Sequence, residues 1–183
     1  MERGHFLISL TGVLSGLVTF GGKLFSDMGL SLFEVSLIPY LLSLLFLLPF
    51  MLSGNFGLNR GAAGTLALYG LVVSVLTLAE FAGVILGVPV AVAALLIYTQ
   101  PLWTVLLGKF FLHERISRQN AAACLLVLIG VVILVNPLRE SIDILSPGVL
   151  VSIAAGILLS LWIILGRVSG LQGIHPVATQ FWS

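Results

Sequence analysis

An all-α membrane protein, folded as a polytopic helix bundle, is what this sequence predicts, and three observations predict it. Hydrophobic residues make up 59% of the 183 residues and Asp, Glu, Lys and Arg only 8%, against roughly 25% charged in soluble domains. So few charges cannot clothe a globule in water, so most of its surface must meet lipid. Apolar runs follow one another along the chain, and about 20 such residues cross a bilayer core as helix. One run, from Val90, is interrupted by Tyr98, Thr99, Gln100 and Pro101, where an unmet polar group in hydrocarbon costs several kcal/mol. A broken polar helix among spanning helices points to a solute pathway through the membrane. The formal net charge is +1, and no basic cluster is long enough for nucleic acid. The single cysteine, Cys124, offers neither a disulfide nor a metal pair.

The chain reads as six spans and the start of a seventh. Arg3 and the apolar stretch from Phe6 resemble a signal peptide, but the stretch shows no small-residue cleavage pattern. It is read as a retained helix over residues 6–25. The second span covers residues 33–52, and a polar turn through Asn55, Gly57, Asn59 and Arg60 leads to the third, 61–87. Gly87-Val88-Pro89 punctuates the chain before the fourth, 89–112. The fifth, 120–135, stops at Asn136-Pro137, and a polar link from Arg139 to Ser146 precedes the sixth, 147–165. His175-Pro176-Val177 opens a seventh.

Loop charges orient this plan. Arg3, Arg60, Lys109, Arg115, Arg118 and Arg167 fall on one side of the membrane, and only Lys23 and Arg139 on the other. The positive-inside rule then makes the N-terminus cytoplasmic, in a multi-pass protein of the plasma membrane. Sliding the chain by 144 positions brings the first span onto the sixth. Gly4, Gly12, Gly22 and Gly29 then fall on Gly148, Gly156, Gly166 and Gly173, Leu14 and Leu17 on Leu158 and Leu161, and Lys23 on Arg167. Five helices separate the copies, so the second starts from the opposite face. Inverted repeats of this sort are a common plan of secondary transporters.

The fourth and fifth spans, AALLIYTQPLWTVLLGKFFLHERISRQNAAACLLVLIGVVILV, resemble the end of an EamA-type repeat of the drug/metabolite transporter superfamily. The likeness rests on the small residues Ala91 to Ala94, Pro101-Leu102, Glu114, Gln119 and Gly130-Val131-Val132. GILLSLWIILGRVSG, with Trp162 and Arg167, is similar to the family's second-repeat start. The resemblance implies ten helices in two inverted five-helix repeats with both ends cytoplasmic. On that plan residues 1–137 are the first repeat, and 147–183 begin an incomplete second one. A truncated chain or fragment is the expectation, completed by a missing second half or by self-association. The family often has an arginine early in its second helix, where this chain has Pro39-Tyr40, so no contact is carried over there. Ala122 stands in place of a family glycine.

Six residues are candidates for substrate binding or coupling: Glu80, Lys23, Thr77, Tyr98, Gln100 and Pro101. In the first span Thr11, Ser15, Thr19 and Lys23 recur every four residues and form one stripe, beside Gly12 and Gly16. Lys23 either meets an anionic group or snorkels to the interface. In the third span Tyr69, Val73, Thr77 and Glu80 share a face. An intramembrane carboxylate is costly and faces the bundle or a water-filled cavity, so Glu80 is either a static partner of Lys23 or a site that exchanges protons or meets a cation. In the fourth span Gln100, Thr104 and Phe111 share one face, and Tyr98, Pro101 and Val105 the next. Pro101 frees a backbone acceptor for a neighbouring helix, a hydroxyl, water or substrate. Glu34 is read as solvated at a span mouth, Glu114 as part of the hairpin, and Trp103 and Trp162 as packing residues.

Enzyme chemistry finds no support. His113-Glu114 lacks the second histidine of HExxH, and Gly21-Gly22-Lys23 lacks the strand of a phosphate loop. No cofactor or metal is implied. Two readings remain: a secondary transporter of a small organic solute, and a non-transporting membrane scaffold or receptor subunit.

Overall fold

A computed structural model of the protein describes residues 20, 21, 24, 25, 27–54, 60–113, 117–135, 143 and 145–181. Among them it is helical and contains no strand. The order is α1 (Leu32–Ser53), α2 (Arg60–Ile85), α3 (Val90–Ile97), α4 (Gln100–Phe111), α5 (Arg118–Val135), α6 (Pro147–Leu171) and α7 (Pro176–Phe181). Segments Leu32–Ser53, Ala63–Ile85, Val90–Phe111 (across a break) and Pro147–Leu171 are long and apolar enough to cross a membrane. In α5 the apolar stretch is the shorter Ala121–Gly130. The first expected span and the Glu114 turn lie almost wholly outside the described residues.

Helix ends follow from local chemistry. Ser31 caps α1 in a reciprocal box: Glu34 N–H donates to Ser31 Oγ (3.3 Å) and Ser31 N–H to Glu34 Oε2 (2.7 Å). Two orphan amides are satisfied, and Glu34 is exposed at the span mouth, as expected. Gly29, Gly87 and Gly173 close helices at φ +88°, +93° and +74°, a left-handed conformation that costs glycine little. At each the next amide reaches back five residues: Leu30 to the Phe25 carbonyl, Val88 to Gly83 and Ile174 to Ser169. The first and third closures stand at the same 144-residue offset that aligned the sequence, as do the starts of α1 and α7 at Leu32 and Pro176.

One expectation holds and another needs correction. The fourth span, 89–112, is broken as expected, at Tyr98-Thr99, into α3 and α4. Pro101, with no amide hydrogen, sits in the first turn of α4, where none is needed. The sixth span does not end at Leu165 but runs to Leu171. Nothing between Gly166 and Gly173 breaks a helix, and the exposed Arg167 holds its charge away from the apolar body.

Close approach of α2 to α6 forms the centre. A β-carbon on Gly83 would lie 2.1 Å from Ser152 Oγ and 3.2 Å from the Gly148 carbonyl. Along α6, Gly148, Ser152, Gly156 and Ser160 recur every fourth residue on one buried face. Lipid tails are as apolar as leucine, so helices associate in the bilayer by close packing of small residues and by hydrogen bonds. The α3–α4 break lies against the same face: a β-carbon on Gly156 would come within 3.0 Å of the Leu96 and Ile97 carbonyls. By contrast, α1 buries only Val35 and Ser36.

Candidate functional site

One face of α2 organises the site. Tyr69, Val73, Leu76 and Thr77 are buried and Glu80 is half-buried, on the shared face expected from their spacing. Two residues of this face hold side chains from other helices. Thr77 Oγ1 donates to the Val73 carbonyl (3.0 Å), so its oxygen accepts the Tyr40 hydroxyl of α1 at 2.5 Å. Tyr69 lies against α6, with its ring centroid 6.2 Å from that of Trp162 and its edge over Gly166. Tyr40 and Trp162 are thereby fixed on either side of the face that ends in Glu80.

Two cavities adjoin this face. The smaller, about 230 Å³, is bounded by Glu80, Tyr40, Tyr98, Trp162, Leu159 and Gln180, with Val73, Leu76, Ala94 and Ile97 behind them. The larger, about 510 Å³, opens between α1, α2 and α7 and carries Phe33, Leu37, Leu41 and Leu44 beside Ser74 and Thr77. Tyr40 and Gln180 line both. Ser36 also lines the larger cavity; its buried hydroxyl has no hydrogen-bond partner among the described residues.

The sequence-derived candidates separate on this geometry. Glu80 and Tyr98 meet in the smaller cavity, and Thr77 lines the larger. Gln100 and Pro101 line neither. The Gln100 side-chain amide donates to Thr104 Oγ1 (2.7 Å), and the Gln100 backbone carbonyl accepts from Ser160 Oγ (2.8 Å) of α6. Thr99 Oγ1 donates to the Leu96 carbonyl (2.7 Å) and accepts the Trp103 indole (3.2 Å). Two acceptors at the break, the Leu96 and Gln100 carbonyls, are thus met by neighbouring hydroxyls, so the break is a packed joint. Lys23 lies outside the described residues. Sequence reasoning missed Tyr40 and Gln180 and gave Trp162 only a packing role. Polar or amphipathic residues inside apolar runs were the available signal, but nothing in those runs shows which way each one faces.

A family model described as the EamA-like transporter family matches residues 2–136, most of the chain. The chain belongs to the EamA-like transporter family. It is 26% identical over 144 residues to an uncharacterized transporter of Clostridium kluyveri, covering 76% of this chain and 46% of that protein. It is 32% identical over 88 residues to a probable amino-acid metabolite efflux pump of Salmonella typhimurium, covering 48% of this chain and 29% of that protein. The chain therefore spans less than half the length of these curated relatives. No solved structure matches it. Family membership and the spanning helices make this a multi-pass membrane protein.

Proposed function

We propose that this chain is the first repeat, residues 1–137, and the opening of the inverted second repeat, 147–183, of a secondary transporter. The whole protein would move a small organic metabolite across the plasma membrane by alternating access, driven by an ion or solute gradient. Its substrate would occupy the space around Glu80. The observation that carries this is a half-buried carboxylate facing a cavity inside a bundle of spanning helices; a scaffold has no use for so costly a group. The relatives' names and the matching closures at Gly29 and Gly173 support the reading. A second half, or a second copy, would complete the walls.

Flux into proteoliposomes carrying the full-length protein tests it. Glu80→Gln keeps shape but cannot ionise, and should abolish gradient-driven uptake in a folded protein. If Glu80 only anchors Lys23, Glu80→Gln should instead lower the melting temperature and Lys23→Met should restore it. Unchanged rate and pH dependence in folded Glu80→Gln would rule out coupling through this residue. For topology, Glu2→Cys and Ser117→Cys in a Cys124→Ala background should resist impermeant thiol reagents in intact cells. Labelling of either site would reverse the orientation.

A further inference from the structure

We propose that the two cavities form one bipartite site for an amphipathic organic cation, with its ammonium head beside Glu80 and its apolar tail in the larger chamber. The proposal rests on the transporter reading and names its substrate class. The smaller cavity presents one carboxylate and three aromatic side chains, Tyr40, Tyr98 and Trp162, from three different elements. Among the described residues that line it there is no Lys, Arg or His. Aromatic faces attract a cation through their quadrupoles, most strongly when it is desolvated, and tryptophan does so best. The half-buried carboxylate adds electrostatic attraction for a cation. An anionic head would face the opposite balance.

Two of the three rings are also held in place. Tyr40 is tied to Thr77 and Trp162 is packed on Tyr69, so less side-chain freedom is lost on binding. Next door, Phe33, Leu37, Leu41 and Leu44 present an apolar wall, with hydroxyls of Ser74 and Thr77 on the α2 side. Because Tyr40 and Gln180 line both chambers, a ligand passing between them keeps its head among rings and its tail among leucines. Leaving the head in water, or the tail in the smaller chamber, loses one half of the complementarity.

Calorimetry on the full-length protein in lipid nanodiscs tests this with hexyltrimethylammonium, tetramethylammonium, hexanol and hexanoate. Hexyltrimethylammonium should bind about tenfold or more tighter than hexanol, and hexanoate should bind most weakly. Glu80→Gln should weaken both ammonium ligands about tenfold or more. Leu41→Trp, which fills the tail chamber, should erase the advantage of hexyl over methyl. If Glu80→Gln does not fold, Trp162→Leu leaves the charge in place and should still weaken tetramethylammonium several-fold. Equal or tighter binding of hexanoate or hexanol overturns the proposal, as does folded Glu80→Gln with unchanged ammonium affinity. So does a Leu41→Trp variant that keeps the hexyl advantage. Flux that shows no preference for cations defeats this inference and leaves transport standing. Ammonium binding without flux of any solute defeats transport and leaves the site standing.

Discussion

Helices α1 and α6 are both apolar and both long enough to span, yet they stand in the molecule quite differently. From Pro147 to Leu171, α6 buries Gly148, Ser152, Ala155, Gly156 and Ser160 along one side, against α2 and the α3–α4 joint. From Leu32 to Ser53, α1 buries only Val35 and Ser36, while Phe33, Leu45 and Phe46 are largely exposed. Hydrophobicity cannot explain the difference, because lipid rewards both helices alike. What separates them is the size of the residues on one face. Steps of Gly and Ser let backbones come near enough for carbonyls and hydroxyls to meet, whereas bulky Leu and Phe keep α1 at a distance. The space α1 leaves becomes the larger cavity.

The largest expected effect breaks the close side of this comparison. Gly83→Ala puts a β-carbon where Ser152 Oγ now lies, 2.1 Å away. Overpacking of a tight contact costs about 1–3 kcal/mol, so the melting temperature should fall clearly. Adding Ser152→Ala removes the offending oxygen and should recover part of the loss. A single variant as stable as the parent would mean that the α2–α6 approach is looser than described.

Ser160→Ala should come next. It takes one of two hydroxyl donors from the Gln100 carbonyl, leaving Thr104 Oγ1 at 3.0 Å. The joint is then held less firmly, with a loss of about 0.6 kcal/mol, in the range of interhelical hydrogen bonds in membranes. Tyr40→Phe belongs to the same class, since it deletes the bond to Thr77. Its thermal shift should be small. Its effect on ligand affinity should exceed its effect on stability, because the freed ring borders both cavities.

The comparison also shows what could be read in advance. Helix positions, the break near Pro101, the opening at Pro176 and the shared face of Tyr69, Thr77 and Glu80 were legible, because breakers, caps and polar residues punctuate apolar sequence. The placement of Tyr40, Trp162 and Gln180 beside the cavities was not. A soluble helix betrays its buried side by a polar stripe on the other, but in lipid both sides are apolar and that contrast vanishes. Gln100 shows how much direction matters. Its polar side chain beside a proline pointed to a pathway; in the structure that side chain donates to Thr104, while its backbone carbonyl accepts from Ser160 at the joint.

The smallest expected effect sits on the open side, and it sharpens the comparison most. Leu45 in α1 is 66% exposed, so in the 183-residue chain Leu45→Ala removes little packing. Substitutions that touch no neighbour stay within about 0.5 kcal/mol, and the melting temperature of this chain in nanodiscs should barely move. The same change in the full-length protein separates two origins of the exposure. If α1 faces lipid there too, the variant is again neutral. If the proposed second half covers this face, truncation leaves a cavity, and burying then losing a leucine side chain costs about 2–5 kcal/mol. Neutrality in the short chain with a clear loss in the long one would place the second half against α1. A loss already present in the short chain would show that Leu45 packs within this bundle, and the contrast between α1 and α6 would then fail.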